Sequence, residues 1–171
     1  MSDYSIYLRY IQTQDAALVL DWENNQENWA VSENDSPYSI YDILVLIGEL
    51  QDIQRAKQAR WMICSDLNNQ AIGNVDLTEI DFENKVATVG ILIAEKELRN
   101  KGYASQALVL IEKEANKLKI DKLTCSIHAD NLASISLFLK NGFEKIGKQD
   151  APDLKNDQYI DVILFEKWLK K

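Results

Sequence analysis

The strongest constraint in this sequence is a run of apolar side chains that recurs at the period of an α-helix. They are Ala104, Ala107, Leu108, Ile111, Ala115 and Leu118, at offsets of 0, 3, 4, 7, 11 and 14 residues from the first. Such spacing places all six on one face of a helix. The run therefore predicts an amphipathic helix that must pack against another layer of structure.

Shorter patterns predict the elements on either side of this helix. Ser39 and Asp42, at the spacing of a capping box, predict the start of a second helix. Strands are predicted over residues 5–11, 60–65, 71–78, 85–93, 122–128, 143–147 and 159–168, and helices over 13–23, 39–50, 104–118 and 131–141. The order β-α-α-β-β-β-α-β-α-β-β, without a repeat or a long linker, predicts a single domain over residues 1–171 of the α/β (α+β) class.

Composition and charge exclude several classes of protein. Of the 171 residues, 46% are hydrophobic and 27% are charged, as in an ordinary globular domain. The absence of a long apolar run and of a signal-peptide pattern predicts a cytoplasmic protein with no membrane partner. The net charge of −8 argues against a nucleic acid partner. Two distant cysteines and one histidine predict no metal site.

The negative charge is concentrated in the first third of the chain. Residues 1–51 contain nine acidic side chains and one basic one, a balance of −8, whereas residues 52–171 contain 18 of each. Two interpretations are open at this point. The acidic third either attracts a cationic ligand or forms a solvated surface that favours solubility.

A glycine and two cations lie where a predicted strand meets the periodic helix. This segment, Leu98-Arg99-Asn100-Lys101-Gly102-Tyr103-Ala104-Ser105, is termed the phosphate loop below. The first amides of a helix point outward at its positive end, and Gly102 allows an anion to approach the backbone closely. Arg99 and Lys101 add positive charge. The loop predicts a pyrophosphate site, with an ordinary cationic loop as the alternative.

Two motifs, in this order and after three predicted strands, resemble the GNAT superfamily, which transfers an acetyl group from acetyl-CoA to an amine. The first, R/Q-x-x-G-x-G/A, matches at Arg99, Gly102 and Ala104, and the second, N-x-x-A/S-x-x-L-Y-x-x-x-G-F, matches at Asn131, Ser134, Leu137, Gly142 and Phe143. The resemblance spans nearly the whole chain. It implies a single mixed, mostly antiparallel sheet of about seven strands, splayed around its central strands and flanked by about four helices.

The resemblance also implies which residues hold acetyl-CoA. In the family, the strand here containing Gly90–Ile93 is bulged, so that its freed amides bind the pantetheine and the thioester carbonyl, while the phosphate loop binds the pyrophosphate. The implied cofactor-binding residues are Ile91, Leu92, Ile93, Arg99, Asn100, Lys101, Gly102, Tyr103, Ala104, Ser105, Asn131, Phe138 and Lys140.

Phe138 departs from the family pattern, because many members have a tyrosine at this position. Its hydroxyl is their proposed acid for the leaving CoA thiolate. A phenyl ring has no proton to donate, so no acid is assigned here. Either another group or water supplies the proton, or none is needed because a thiol has a pKa of only about 8.5. A protein that binds CoA without turnover is the third alternative.

The reaction also requires a way to deprotonate the acceptor. An alkylammonium group with a pKa of about 10.4 is only about 0.04% free base at pH 7. Glu79, at the end of a strand beside the expected thioester, is the first candidate for the general base. Glu33, Asp76 and Asp81 are the other acidic candidates, and His128 ranks below Glu79.

The acceptor is expected to be a cationic amine. In the family the first two helices flank the acceptor site, and here they carry the acidic imbalance. The expected acceptor-binding residues are Glu33 and Asp35, with Trp29 and Tyr38 as cation–π partners. The sequence resembles the branch that contains spermidine, diamine and ribosomal-protein N-terminal acetyltransferases. A polyamine is the first expectation and a peptide amine the alternative, and assembly into a homo-oligomer is left open.

Overall fold

The computed structural model describes residues 5–31, 37–153 and 158–170. Seven strands are formed, β1 (Ile6–Tyr10), β2 (Ala59–Ser65), β3 (Ala71–Asp81), β4 (Val86–Ile93), β5 (Lys122–His128), β6 (Glu144–Asp153) and β7 (Gln158–Trp168). The α-helices are α1 (Ala16–Asn24), α2 (Ile40–Glu49), α3 (Ile53–Ala56), α4 (Tyr103–Lys117) and α5 (Leu132–Lys140). Single 3-10 turns cover Thr13–Asp15, Gln26–Val31 and Lys96–Leu98.

The seven strands form one sheet in the order β1-β2-β3-β4-β5-β7-β6. Every neighbouring pair is antiparallel except β4 and β5, which are parallel. A parallel pair needs a crossover, and here α4 provides it. The predicted order of elements and the α/β class, with a mostly antiparallel mixed sheet, are therefore confirmed.

The two parallel strands remain paired only at their beginnings. Val86, Ala87 and Thr88 pair with Lys122, Leu123 and Thr124, and the described residues beyond these pairs form no further ladder between β4 and β5. We call this divergence the strand fork. The implied splaying of the central strands is thus confirmed.

Helices cover both faces of the sheet, and each face has its own core. The α4 face buries the predicted periodic residues Ala107, Leu108, Ile111 and Ala115, together with the side chains of Val89 and Ile93 from β4. The other face packs α1 and α2 against β2 through residues that include Val19, Trp22, Ile43, Ile47, Met62 and Cys64. The fork therefore lies between two layers of helices.

One expectation about the central strands is wrong. The Gly90–Ile93 stretch of β4 was expected to be bulged, but its register with β3 is regular from Thr88 to Ile93. The irregularity lies in β3 between Thr78 and Asp81, where Glu79 adopts a left-handed φ of 49°. An extra residue in this conformation shifts the ladder locally, so the bulge belongs to β3.

Local signals explain where the elements begin and end. Ser39 caps α2 by accepting a hydrogen bond from the Asp42 amide, and the Asp42 carboxylate accepts one from the Ser39 amide at 2.7 Å, as predicted. The one-turn helix α3 was missed, since four residues are too few to show a helical period. Among the helices that the structure describes, none is both long and apolar enough to cross a membrane.

Candidate active site

The edge of β4 that faces the fork carries backbone groups without a neighbouring strand. The Ala94 amide donates to the Ile72 carbonyl of the β3 side at 3.0 Å. Backbone groups alternate in direction along an antiparallel strand, so Gly90 and Leu92 also bond toward β3, whereas Ile91 and Ile93 point toward the fork. The backbone of Ile91 and the amide of Ile93 can therefore bind an extended ligand, whereas the Ile93 carbonyl accepts a hydrogen bond from Arg99. The backbone of Leu92 is committed to β3, and its side chain packs toward α1 and α2.

The phosphate loop leads from β4 into the start of α4. Asn100 and Gly102 have left-handed φ angles of 59° and 87°, and Gly102 is the N-cap of the helix. The Gln106 amide donates to the Gly102 carbonyl at 3.1 Å, so the earlier amides of the helix lie before its first full turn. Together with the helix dipole they form the positive end of a 15-residue helix. A Cβ on Gly102 would meet no described atom within 4 Å, which leaves space for an anion.

The side chains of the phosphate loop have different environments. Asn100 and Lys101 are exposed, so the Lys101 ammonium is accessible to a phosphate. Tyr103 is buried in the α4 core, and Ala104 is half-buried. Ser105 donates to the Asn141 side chain at 2.8 Å and thereby links the start of α4 to the end of α5.

Arg99 turns inward instead of toward the solvent side of the loop. Its Nε donates to the Ile93 carbonyl at 2.9 Å, and its Nη2 donates to the Ala94 carbonyl at 3.3 Å. The same Nη2 donates to the Asn28 side chain at 3.0 Å. The guanidinium group therefore holds the end of β4 in place, because three of its five N–H donors bond to oxygens of Ile93, Ala94 and Asn28.

The second motif places its residues on α5, across the fork from β4. Asn131 caps α5 by accepting a hydrogen bond from the Ser134 amide at 3.1 Å, and Lys140 is exposed in the last turn. Phe138 is only 3% exposed and packs edge-on against Phe143, with ring centroids 4.9 Å apart. The ring is part of the core and carries no group that can protonate a thiolate.

A charged cluster lies on the opposite face of the sheet, beside β4. Arg60 makes a bidentate contact to Asp76, with both distances 2.8 Å, and a third contact to Glu23, also 2.8 Å. Asp76 is the cross-strand neighbour of Gly90, where an added Cβ would meet no described atom within 4 Å. The missing side chain leaves an open space on this face beside the fork. Asp76 is bound to a guanidinium and is not available as a base.

Glu79 lies at the apex of the strand fork, the point where β4 and β5 separate. Its carboxylate accepts a hydrogen bond from the Thr88 hydroxyl at 2.8 Å, and that hydroxyl lies 3.2 Å from the Thr124 hydroxyl. Thr88 and Thr124 form the last pair before β4 and β5 separate. Glu79 itself is exposed. It is therefore a carboxylate held at the apex of the fork and accessible to a ligand.

The other candidate bases have different environments. Asp81 is half-buried and accepts hydrogen bonds from the amides of Asn84 and Glu83 at 2.8 and 3.0 Å. Bonds from the Asn84 backbone and side chain hold the pKa of Asp81 below its ordinary value, so it acts as a turn anchor. His128 is exposed at the end of β5, and its carbonyl accepts from the Asn131 amide at 2.9 Å.

Both cysteines are buried thiols. Burial raises the pKa of Cys125 to about 12, and burial is also the main cause that raises the pKa of Cys64. A protonated thiol is a poor nucleophile. Neither cysteine is therefore a candidate for a covalent intermediate.

The expected acceptor residues are placed only in part. The Asn24 side chain holds the backbone of Tyr38 through hydrogen bonds of 2.8 and 2.9 Å, and the Tyr38 side chain is 39% exposed. Trp29 lies in the 3-10 turn after α1. Glu33 and Asp35 lie outside the described residues.

Comparison with known families tests the resemblance over most of the chain. The acetyltransferase (GNAT) domain matches residues 5–144. The chain belongs to the GNAT acetyltransferase family. The GNAT fold uses acetyl-CoA. Three features of this chain fit that molecule: backbone groups of Ile91 and Ile93 that face the fork, the start of α4 that follows in the chain, and the open space beside Gly102.

Individual GNAT relatives are distant in sequence. The chain is 30% identical over 147 residues to an N-acetyltransferase 9-like protein of Nematostella vectensis, a match that covers 82% of this chain and 65% of the relative. It is 28% identical over 148 residues to the ribosomal-protein-serine acetyltransferase of Escherichia coli (strain K12), covering 84% of this chain and 78% of the relative. The chain thus spans slightly less than two thirds of the first of these proteins.

Solved structures share the fold over nearly its full length. A spermidine N-acetyltransferase from Vibrio cholerae in complex with CoA and spermine has a TM-score of 0.86 at 20% identity, covering 96% of this chain and 95% of that one. A dodecameric structure of the Vibrio cholerae spermidine N-acetyltransferase has a TM-score of 0.79 at 22% identity, covering 96% and 94%. At these identities the likeness concerns the fold.

Sequence reasoning missed three polar residues near the strand fork. Arg60, Asn28 and Thr88 form the contacts described above with Asp76, Arg99 and Glu79. A polar residue in an otherwise apolar strand is a signal that could have indicated Arg60 and Thr88. Asn28 lies in a polar segment, and nothing local distinguishes it from its neighbours.

Proposed function

We propose that the chain forms one acetyltransferase domain over residues 1–171 and transfers the acetyl group of acetyl-CoA to a cationic primary amine. The observation that carries the proposal is the continuity between the open edge of β4 and the positive end of α4. A backbone edge that can hold an extended pantetheine leads directly into a site for its pyrophosphate. Acetyl-CoA supplies the activated acyl group.

The residues around the fork support direct attack in a ternary complex. The amine nitrogen bonds to the thioester carbon while the carbon–sulfur bond breaks, and the CoA thiolate leaves. Glu79, held by Thr88 at the apex of the fork, accepts the proton that the amine loses. The fork-facing amide of Ile91 or Ile93 polarises the carbonyl. Phe138 provides no proton, so the thiolate leaves as such and is protonated by solvent.

A polyamine is the acceptor we favour. The acidic balance of −8 in residues 1–51 supports a cationic substrate, because α1 and α2 lie on the face that carries Asp76, Gly90 and Glu79. The fold likeness to a spermidine N-acetyltransferase solved with spermine agrees with this choice. A protein N-terminal amine is the second candidate, supported by the likeness to the ribosomal-protein-serine acetyltransferase.

Thiol release from acetyl-CoA tests the proposal across a panel of spermidine, spermine, putrescine and short N-terminal peptides, with calorimetric CoA binding alongside. Saturable turnover with a polyamine is the expected result. Turnover with peptides alone would replace the acceptor, and CoA binding without any turnover would favour an inactive CoA-binding domain. Absence of CoA binding would overturn the proposal. Size-exclusion chromatography tests whether the protein assembles into a homo-oligomer, which the sequence leaves open, and cell fractionation tests the expected cytoplasmic location.

A further inference from the structure

Asn28 occupies an unusual position for a polar residue of a connecting segment. It lies in the 3-10 turn Gln26–Val31 between α1 and α2, yet it is only 3% exposed. Both ends of its side chain are bonded: Nδ2 donates to the Trp22 carbonyl at 3.1 Å, and Oδ1 accepts from Arg99 Nη2 at 3.0 Å. A buried amide with both ends satisfied has one preferred orientation. Asn28 is therefore a fixed link between the end of α1 and the phosphate loop.

Arg99 transmits this link to the backbone of the expected cofactor site. Its guanidinium joins Asn28 to the carbonyls of Ile93 and Ala94, which are the last residue of β4 and the residue after it. Rotation of the guanidinium would break these bonds together, because its donors have a rigid planar geometry. The position of Asn28 therefore helps to fix where β4 ends and where the phosphate loop begins.

A second contact between the same two segments differs in character. Glu27 forms an ion pair with Lys96, but the two side chains are 54% and 56% exposed. Ion pairs this exposed contribute little free energy, since water screens both charges. Glu27 is thus a neighbouring residue in the same turn that also contacts the segment between β4 and α4, but its contact is exposed to solvent.

We propose that Asn28 is a positioning residue for CoA binding. It lies outside the phosphate loop and acts through Arg99. The connection between α1 and α2 thereby sets the geometry of the phosphate loop. This inference rests on the proposed function, because it presumes that the phosphate loop binds CoA. It predicts that a substitution in the α1–α2 connection weakens cofactor binding.

The test measures the dissociation constant for CoA by calorimetry in three variants of Asn28. Asn28→Leu removes the acceptor for Arg99, and Asn28→Ser withdraws it from Arg99 by the length of one carbon–carbon bond. Each is expected to weaken CoA binding about tenfold, the equivalent of one hydrogen bond to a charged donor. Asn28→Asp keeps an acceptor for Arg99 but loses the donor to the Trp22 carbonyl. It is expected to lower the unfolding midpoint and yet keep CoA affinity within about threefold of the wild type.

The Asp variant separates positioning from simple stability. A merely structural role would lower the midpoint in all three variants and leave the CoA affinity of the folded protein unchanged. Glu27→Gln is the matched control and should change CoA affinity less than twofold. Wild-type CoA affinity in both the Leu and Ser variants would overturn this inference and leave the proposed function standing. If the Leu variant does not fold, the Ser and Asp variants decide. A wild-type protein that binds no CoA would overturn the proposed function as well.

Discussion

Replacement of Arg60 by leucine should destabilise the protein far more than loss of a surface charge. Arg60 makes three contacts of 2.8 Å to Asp76 and Glu23, and the side-chain exposures are 14% for the arginine and 19% for each acid. Removal of one member of a buried ion pair costs about 3–5 kcal/mol, because the remaining charge loses its partner in a poorly solvated place. The residual exposure places Arg60→Leu near the lower end, at about 3 kcal/mol.

Urea unfolding followed by tryptophan fluorescence measures this effect, since Trp22 and Trp61 are buried in α1 and in β2. Arg55→Leu is the matched control, because Arg55 is exposed on α3. It should change the unfolding free energy by less than about 0.5 kcal/mol. A loss below about 1 kcal/mol in Arg60→Leu would refute the reasoning, because a solvated pair has that value.

The pH dependence of the same variant provides an independent check. Without the guanidinium, burial raises the pKa of a carboxyl group in the folded state above its unfolded value. The protonated form is then favoured by folding, so the variant is more stable at low pH and loses stability as the pH rises. The difference from the wild type should therefore be smaller at pH 5 than at pH 8. Equal differences at both pH values would show that the acids remain solvated.

Four further predictions follow from single contacts. Burial raises the pKa of Asp15, but hydrogen bonds from Arg9 and the Gln12 amide outweigh it and hold that pKa below its ordinary value. The stability that this carboxylate contributes is thus present above about pH 4 and lost below it. Asp15→Asn should therefore lower the free energy of unfolding at pH 7 and match the wild type in acid. The same difference between the two proteins at every pH would contradict this. Gly102→Ala should cost about 1–2 kcal/mol in urea unfolding and weaken calorimetric CoA binding, because φ is 87°, and unchanged values of both would be inconsistent with the N-cap geometry. Phe138→Tyr should leave kcat within about threefold, since the ring is buried and a thiolate leaves without an acid; a tenfold rise would show that the missing acid limits turnover. Glu79→Gln should lower turnover with spermidine more at pH 7 than at pH 9, where free amine is more abundant, whereas an equal loss would argue against a base at this position.

The elements that could be predicted from sequence are those whose signals are local. The apolar face of α4 repeats over four turns, and the Ser39–Asp42 box acts within four residues. The two left-handed residues that shape the β3 bulge and the helix start differ in this respect. Glycine adopts a left-handed conformation readily at Gly102, whereas Glu79 adopts it without any preference of its own type. Its conformation is imposed by the pairing of β3 with β4.

The candidate site could be predicted at the level of backbone but not of side-chain partners. The phosphate loop was predicted from its position between a strand and a helix start. Ile91, Leu92 and Ile93 were implied by the family resemblance, and of these Leu92 directs its backbone toward β3. Arg99 was expected to bind phosphate, yet its guanidinium faces Asn28, a residue 71 positions away. Asp76 was a candidate base until Arg60 was found beside it on the neighbouring strand. Such partners depend on strand order, which no local pattern contains.

The strand fork divides the sheet into two mechanical halves. Among the described residues, the backbone ladder between the half from β1 to β4 and the half from β5 to β7 has three residue pairs, and the chain passes from β4 to β5 through α4. Few backbone hydrogen bonds resist separation at this junction, so we expect local opening there before opening within either half of the sheet. A ligand that binds in the strand fork would bond to the edge of β4 in place of a neighbouring strand and so join the two halves of the sheet. At a concentration 100 times its dissociation constant it would stabilise the fold by about 2.7 kcal/mol. Resistance of the purified protein to proteolysis would then rise with the concentration of a ligand that binds in the fork.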